Sequence, residues 1–309
     1  MGLWIVLGVL VGGVILAARF FSSVVIFPRT HSLEYSYDWE VEHGEITPEG
    51  FGSWPREEVW IPSPHGYELH ALYAPVPGSR RTVILAHGIT WTLYGSVKYA
   101  ALFYRRGYNV LLYDHRHHGG SGGRNTSFGF YEKDDLKACV DWVITRCGAE
   151  GVIGTHGESM GAATVLQHAA IDPRIAFAVA DCPYASAREQ FAYRLKVEYH
   201  LPEWPLLPLA SLITRLRAGW FFGQASPIAV IGQVETPILF IHGAEDAYIP
   251  PAASEALFKR KPGVKRLYLA PGADHAQSLA TDPEAYDREL GAFLAEIGLE
   301  AEPASASGH

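Results

Sequence analysis

The sequence predicts an α/β fold: a mostly parallel central sheet with helices on both faces and a helical cap inserted over one sheet edge. Three observations predict it. From about Glu57 to Leu299, short β-rich runs alternate with helix-length runs, the pattern of a parallel sheet covered on both sides. Several of the β-rich runs are almost wholly apolar, as strands buried on both faces must be. Between the run ending near Asp181 and the one starting near Pro237, residues 184–234 are too many for an ordinary connection and carry helix-like pieces of their own.

The elements follow in order. Leu3 to Ala18 is almost continuously apolar, and Phe20-Phe21 and Val24 to Phe27 extend the run past Arg19. That length reaches the lower limit of a membrane span, about 20 residues. No Lys or Arg precedes the run and no clear small-residue cleavage site follows it, so residues 1–27 read as an uncleaved anchor in preference to a signal peptide. Arg19 and Arg29 favour a cytoplasmic catalytic domain under the positive-inside rule. Residues 28–55, mixed, acidic and aromatic, read as a linker packed loosely on the domain or lying near the headgroups.

The main domain, 56–299, opens on a hairpin. Glu58–Ile61 and Tyr67–Tyr73 flank the turn signal Ser63-Pro64-His65-Gly66. Thr82–Ala86, Val110–Tyr113, Gly151–His156, Ile175–Ala180, Pro237–Gly243 and Lys265–Leu269 read as further strands. Tyr131–Cys147 reads as a helix with Leu136, Val140, Val143 and Ile144 on one face. Residues 300–309 are mostly small or polar and read as a disordered tail.

The chemistry centres on Gly157-Glu158-Ser159-Met160-Gly161, set between a strand and a helix-like run. In that context a G-x-S-x-G pattern is a nucleophile elbow. The sharp turn strains the serine backbone and leaves no room for side chains at the glycines. Such a serine needs a base and an orienting acid, which follow it in the order acid, histidine. Asp246 comes just after the strand ending at Gly243, and His275 closes the loop after Leu269. Ser159, Asp246 and His275 are therefore the predicted catalytic residues, with Glu245, Asp274 and Asp181 as alternative acids. The turn His87-Gly88-Ile89-Thr90 lets the backbone pass close to the elbow, so the N–H groups of Ile89 and Met160 are the predicted oxyanion donors.

These residues carry a resemblance. His87-Gly88, the Asp114 turn, the Ser159 elbow, His242-Gly243-Ala244-Glu245-Asp246 and His275, in this order, resemble an α/β-hydrolase over most of the chain. The form Gly-Glu-Ser-Met-Gly-Ala-Ala-Thr resembles a membrane-anchored or secreted serine-hydrolase subgroup of the YqkD type. The resemblance implies that the Gly-rich turn after Asp114 is structural, with the Asp and Arg tying loops together.

Composition narrows the field. A net charge of −8 argues against nucleic-acid binding. The three cysteines, Cys139, Cys147 and Cys182, make no disulfide framework or metal pattern. His115, His117 and His118 do not have zinc spacing. No metal or cofactor is required. The sequon Asn125-Thr126-Ser127 is present without an indicated compartment. The cap is rich in aromatic and aliphatic residues, which favours a small-molecule ester with an apolar acyl group. Tyr94, Trp204, Phe221 and Phe222 are its predicted pocket residues. The predicted activity is carboxylic ester hydrolysis through an acyl-enzyme, with thioester or peptide hydrolysis as alternatives, or a membrane-tethered interaction protein with a vestigial site. The oligomeric state is not legible.

Overall fold

The computed structural model describes residues 2–300. Eight strands form one sheet: β1 (Glu57–Pro62), β2 (Glu68–Ala74), β3 (Arg81–Ala86), β4 (Asn109–Tyr113), β5 (Val152–Glu158), β6 (Phe177–Asp181), β7 (Ile238–Gly243) and β8 (Lys265–Ala270), in spatial order β1-β2-β4-β3-β5-β6-β7-β8. β1 and β2 pair antiparallel, β2 pairs antiparallel with β4, and every pairing from β4 to β8 is parallel. β4, β6 and β7 are buried along their whole length, which accounts for their unbroken apolar runs.

The helices are α1 (Gly2–Ile26), α2 (Leu33–Glu42), α3 (Val97–Tyr104), α4 (Glu132–Cys147), α5 (Met160–Ala169), α6 (Ala187–Tyr199), α7 (Leu206–Ala218), α8 (Pro227–Val230), α9 (Ala252–Arg260), α10 (Ser278–Thr281) and α11 (Pro283–Glu296). One core layer sets Leu136, Val140 and Val143 of α4 and Val165 and Leu166 of α5 against the sheet. The layer on the other face sets Tyr99 and Phe103 of α3 and Leu290 and Phe293 of α11 against it. A third apolar cluster joins Met160 and Ala163 to the cap and to Ala18 and Ile26 of α1.

The segment up to residue 55 differs from expectation in two ways. First, α1 is long and apolar enough to cross a membrane, yet its last turns belong to the body of the protein. Ala18, Ser22 and Ile26, spaced i, i+4, i+8 on one face, are fully buried, and Ser22 Oγ lies 2.9 Å from Thr214 Oγ1 on α7. Second, residues 28–55 are not a loose linker. Ser32 caps α2, whose Glu40 is buried and accepts a 2.8 Å hydrogen bond from Trp91 Nε1. At the other end, Glu300 pairs with Arg106, and the rest of the expected tail, residues 301–309, lies outside the described residues.

Candidate active site

β5 runs straight into α5 through Ser159, whose backbone is held at φ 55°, ψ −113°. A non-glycine residue reaches that region only when its surroundings impose it. The flanking glycines supply the room. A Cβ at Gly157 would collide with the Gly161 backbone, and a Cβ at Gly161 would collide with the Ala86 and His87 carbonyls of the next strand end. The strained turn brings Ser159 Oγ to 3.0 Å from His275 Nε2. His275 Nδ1 lies 2.7 Å from Asp246 Oδ2. Ser159 and Asp246 are buried, and His275 is partly exposed.

Asp246 is fixed from several sides. Its Oδ1 accepts 2.8 Å hydrogen bonds from the Tyr248 and Ile249 N–H groups, and its Oδ2 lies 3.2 Å from His242 Nε2 as well. Burial on its own would raise the Asp246 pKa, but the hydrogen bonds from His242 and His275 outweigh it and hold the carboxyl well below the ordinary range. An ionised Asp246 keeps Nδ1 of His275 protonated, leaving Nε2 as the basic nitrogen facing Ser159. His242 is a supporting residue to which sequence reasoning assigns no role of its own.

The other acids have different partners. Asp181 sits behind the elbow, where its carboxylate accepts from Tyr99 and Ser278 at 3.2 and 3.3 Å. Burial pushes its pKa up to about 6, and the charge of Glu158 adds to the rise. Glu158 itself binds Lys98 at 2.7 Å and Tyr99 at 2.6 Å, which ties the elbow down from below. Asp274 Oδ1 accepts from its neighbour's backbone, the N–H of His275, at 2.7 Å.

The loop after β3 faces the elbow. Met160 opens α5, so its N–H has no acceptor within the helix. Ile89 and Met160 line the same cavity as Ser159. The Asp114 turn orders this loop. Asp114 Oδ1 accepts from Leu93 N at 2.7 Å, and its Oδ2 binds Gly120 N at 2.9 Å and His70 Nδ1 at 2.6 Å. His118 Nε2 accepts from Thr90 N at 3.2 Å, and His87 Nε2 accepts from His115 N at 2.9 Å. The side chains of His87 and His118 are thus engaged in holding loops together, whereas His115 takes part through its backbone N–H. Arg116 lies over the Tyr131 ring at 4.5 Å. Asn125 of the sequon is buried, with its amide donating to the Thr126 carbonyl at 2.7 Å.

Above Ser159 lies a cavity of about 330 Å³ with a mostly apolar lining. Of the predicted pocket residues, only Phe222 lines it. Trp204 is 74% exposed on the turn between α6 and α7, and Phe221 points out towards solvent at the cap edge. Tyr94 lines a separate hollow with Tyr37 and Phe51, under α2. The walls come instead from Phe128, Tyr184 and Phe191, and from Phe21, Val24 and Val25 of α1. The sequence offered one signal for the last three. Arg19, Ser22 and Ser23 break the apolar run where α1 leaves its uniformly apolar stretch and meets the cap.

Comparison with known proteins adds to this geometry. A family model described as X-Pro dipeptidyl-peptidase (S15 family) matches residues 53–207. The chain is 41% identical over 290 residues to the YqkD protein of Bacillus subtilis, covering 93% of this chain and 95% of that one. It is 29% identical over 202 residues to α/β hydrolase domain-containing protein 17C of Xenopus tropicalis, which covers 64% of this chain and 57% of that one. Among solved structures, the esterase Pf2001 of Pyrococcus furiosus superposes with a TM-score of 0.67 at 28% identity, covering 82% of this chain and 96% of that one.

Proposed function

The chain belongs to the α/β-hydrolase superfamily, and on that premise we propose that it is a membrane-anchored serine hydrolase cleaving carboxylic esters with apolar acyl groups. The observation that carries this reading is the Ser159–His275–Asp246 chain of contacts at 3.0 and 2.7 Å, opening into an apolar cavity. Ser159 Oγ attacks the ester carbonyl while His275 Nε2 takes its proton. The Ile89 and Met160 N–H groups stabilise the oxyanion. His275 then protonates the departing alcohol, leaving an acyl-enzyme, and activates the water that releases the acid.

The S15 match favours peptide hydrolysis as a second reading. A free carboxylate in the pocket is the strongest single partner for a peptide's ammonium terminus. Glu198 is the carboxylate among the cavity-lining residues, and it is paired with Arg194. The apolar walls therefore support the ester reading over the peptide one.

The anchor reading is supported by packing. A cleaved leader leaves the mature protein, whereas loss of α1 here would strip Phe21, Val24 and Val25 from the cavity and leave Thr214 without the Ser22 hydroxyl. Arg19 and Arg29 follow the apolar stretch, and the positive-inside rule makes them support for a cytoplasmic catalytic domain.

A panel of p-nitrophenyl esters from acetyl to long acyl chains, run beside a Gly-Pro p-nitroanilide, tests the reaction class. Ester turnover rising with acyl length, without amide turnover, is the expected outcome. Amide turnover alone would replace this reading with the peptidase one.

A further inference from the structure

The acyl cavity shares a wall with the spanning helix. α1 and α7 make the most extensive helix–helix contact among the described residues. They run in the same direction, since Thr214 meets Ser22 while Arg217, one turn on, lies over Phe27. The start of α7 therefore lies on the side of the contact towards the apolar N-terminal half of α1. The turn between α6 and α7 precedes that start. At the end of α6, the Tyr199 ring packs edge-on against Phe21 at 4.9 Å. On the turn, Trp204 is 74% exposed. Along α1, Leu16 and Phe20 are exposed as well. Exposed Trp and Tyr beside the end of an apolar span form the belt that sits at the headgroup level of a bilayer. Phe21 and Tyr199, which touch each other, line the cavity together with Leu206 and Leu207 at the start of α7.

We propose that the turn between α6 and α7, with Trp204 at its tip, is seated in the membrane interface beside α1, and that the cavity takes a single acyl chain directly from the bilayer. The substrate class is then an ester lipid with one acyl chain in the pocket. This rests on the ester-hydrolase reading and deepens it. The occupant around the exposed Trp204 is the bilayer because the turn, whose Glu203 is paired with Arg188, follows a helix end packed on α1, and α1 is long and apolar enough to cross one. The volume of about 330 Å³ is at the small end of the range for ligand pockets, about 300–1,000 Å³, which suits one chain and not a pair. Trp204 lies outside the cavity, so its contribution is to seating and not to chemistry.

Full-length protein in phosphatidylcholine vesicles provides the test, with a long-chain monoacylglycerol in the bilayer and p-nitrophenyl acetate in the water. Trp204→Glu should lower monoacylglycerol turnover about tenfold, because it withdraws apolar burial at the interface. Acetate turnover should be unchanged. Equal turnover of the lipid by both proteins overturns the proposal. If the wild type cleaves neither substrate, the hydrolase reading fails, and the substrate half of the proposal fails with it. A nitroxide on Trp204→Cys then decides the seating separately. It should be accessible to oxygen and shielded from a water-soluble nickel chelate. Open access of the chelate overturns the seating, and so does spin–spin broadening between labels, which would assign the turn to a second copy of the chain.

Discussion

The floor and the roof of the cavity are built on opposite principles. The floor is made of sheet-edge loops whose polar groups are buried and multiply hydrogen-bonded. Asp246 alone contacts His242, His275 and two backbone N–H groups. The roof, made of α1, α6, α7 and Phe222, is held by apolar contact and by few polar ones, Ser22 with Thr214 among them. The difference teaches what each part responds to. A hydrogen bond fixes a direction, so the floor answers to charge, tautomer and pH. Apolar packing fixes only volume, so the roof answers to size. The positive φ of Ser159 lies in the floor, where the β5–α5 junction and close backbone neighbours over-determine it.

The largest test of this contrast lies in the floor. Asp246→Asn should cut kcat by about 10⁴-fold, as loss of the orienting carboxylate does in the serine-protease example, by favouring the wrong imidazole tautomer. Asp181→Asn should do far less, since Asp181 faces Tyr99 and Ser278 and not His275. Steady-state kinetics on one p-nitrophenyl ester settles it, and reversed effects would place the acid at Asp181.

Next is a pH effect behind the floor. Burial raises the Glu40 pKa from the ordinary 4.5 to about 7, against the opposing hydrogen bond from Trp91. Folded Glu40 thus keeps its proton up to about pH 7 while the unfolded side chain releases it near pH 4.5. Across that window the native state binds more protons, so stability falls as pH rises. Glu40→Gln should remove that fall, leaving the variant more stable above pH 7 by on the order of 3 kcal/mol and little changed at pH 4.5. Denaturant melts at the two pH values measure it, and parallel pH profiles for both proteins would refute it.

The sequence was unevenly informative for the same physical reason. The floor is written in directional chemistry. Gly157, Ser159 and Gly161 have a spacing that one turn geometry demands, and Asp246 and His275 follow particular strands. Their contact in space can be anticipated from chain order. The roof is written in apolar residues that fit many places. Phe221 and Phe222 are adjacent in sequence, and Trp204 lies on the other side of α7, yet only Phe222 faces the cavity. Helix phase and turn path decide between them, and neither is legible from the residue types. In the first turns of α1 every side is apolar, and only Arg19, Ser22 and Ser23 near its end hint at the face that buries Ala18, Ser22 and Ile26. Residues 33–42 hide their packing differently. The buried Glu40 defeats any pattern that looks for an apolar stripe.

The smaller effects belong to the roof. Ser22→Ala leaves the Thr214 hydroxyl buried without its partner, a cost of about 1–3 kcal/mol in thermal or denaturant stability of the full-length chain. No change in stability would mean that α1 is not seated on α7. Phe222→Ala enlarges the cavity and should shift preference towards longer or bulkier acyl groups, by about 1–3 kcal/mol for each methylene newly accommodated. Trp204→Ala and Phe221→Ala should leave the chain-length profile of soluble esters where it is. A profile that moves with Trp204 and not with Phe222 would invert the assignment of the walls.

The central claim is that Ser159 carries the acyl group beneath this roof. Acid quenching during turnover of p-nitrophenyl octanoate, followed by peptide mass spectrometry, tests it most directly. The account predicts an octanoyl mass on the peptide that contains Ser159, and neither adduct nor turnover in Ser159→Ala. Turnover that persists in Ser159→Ala, or an acyl group found on another residue, would contradict it.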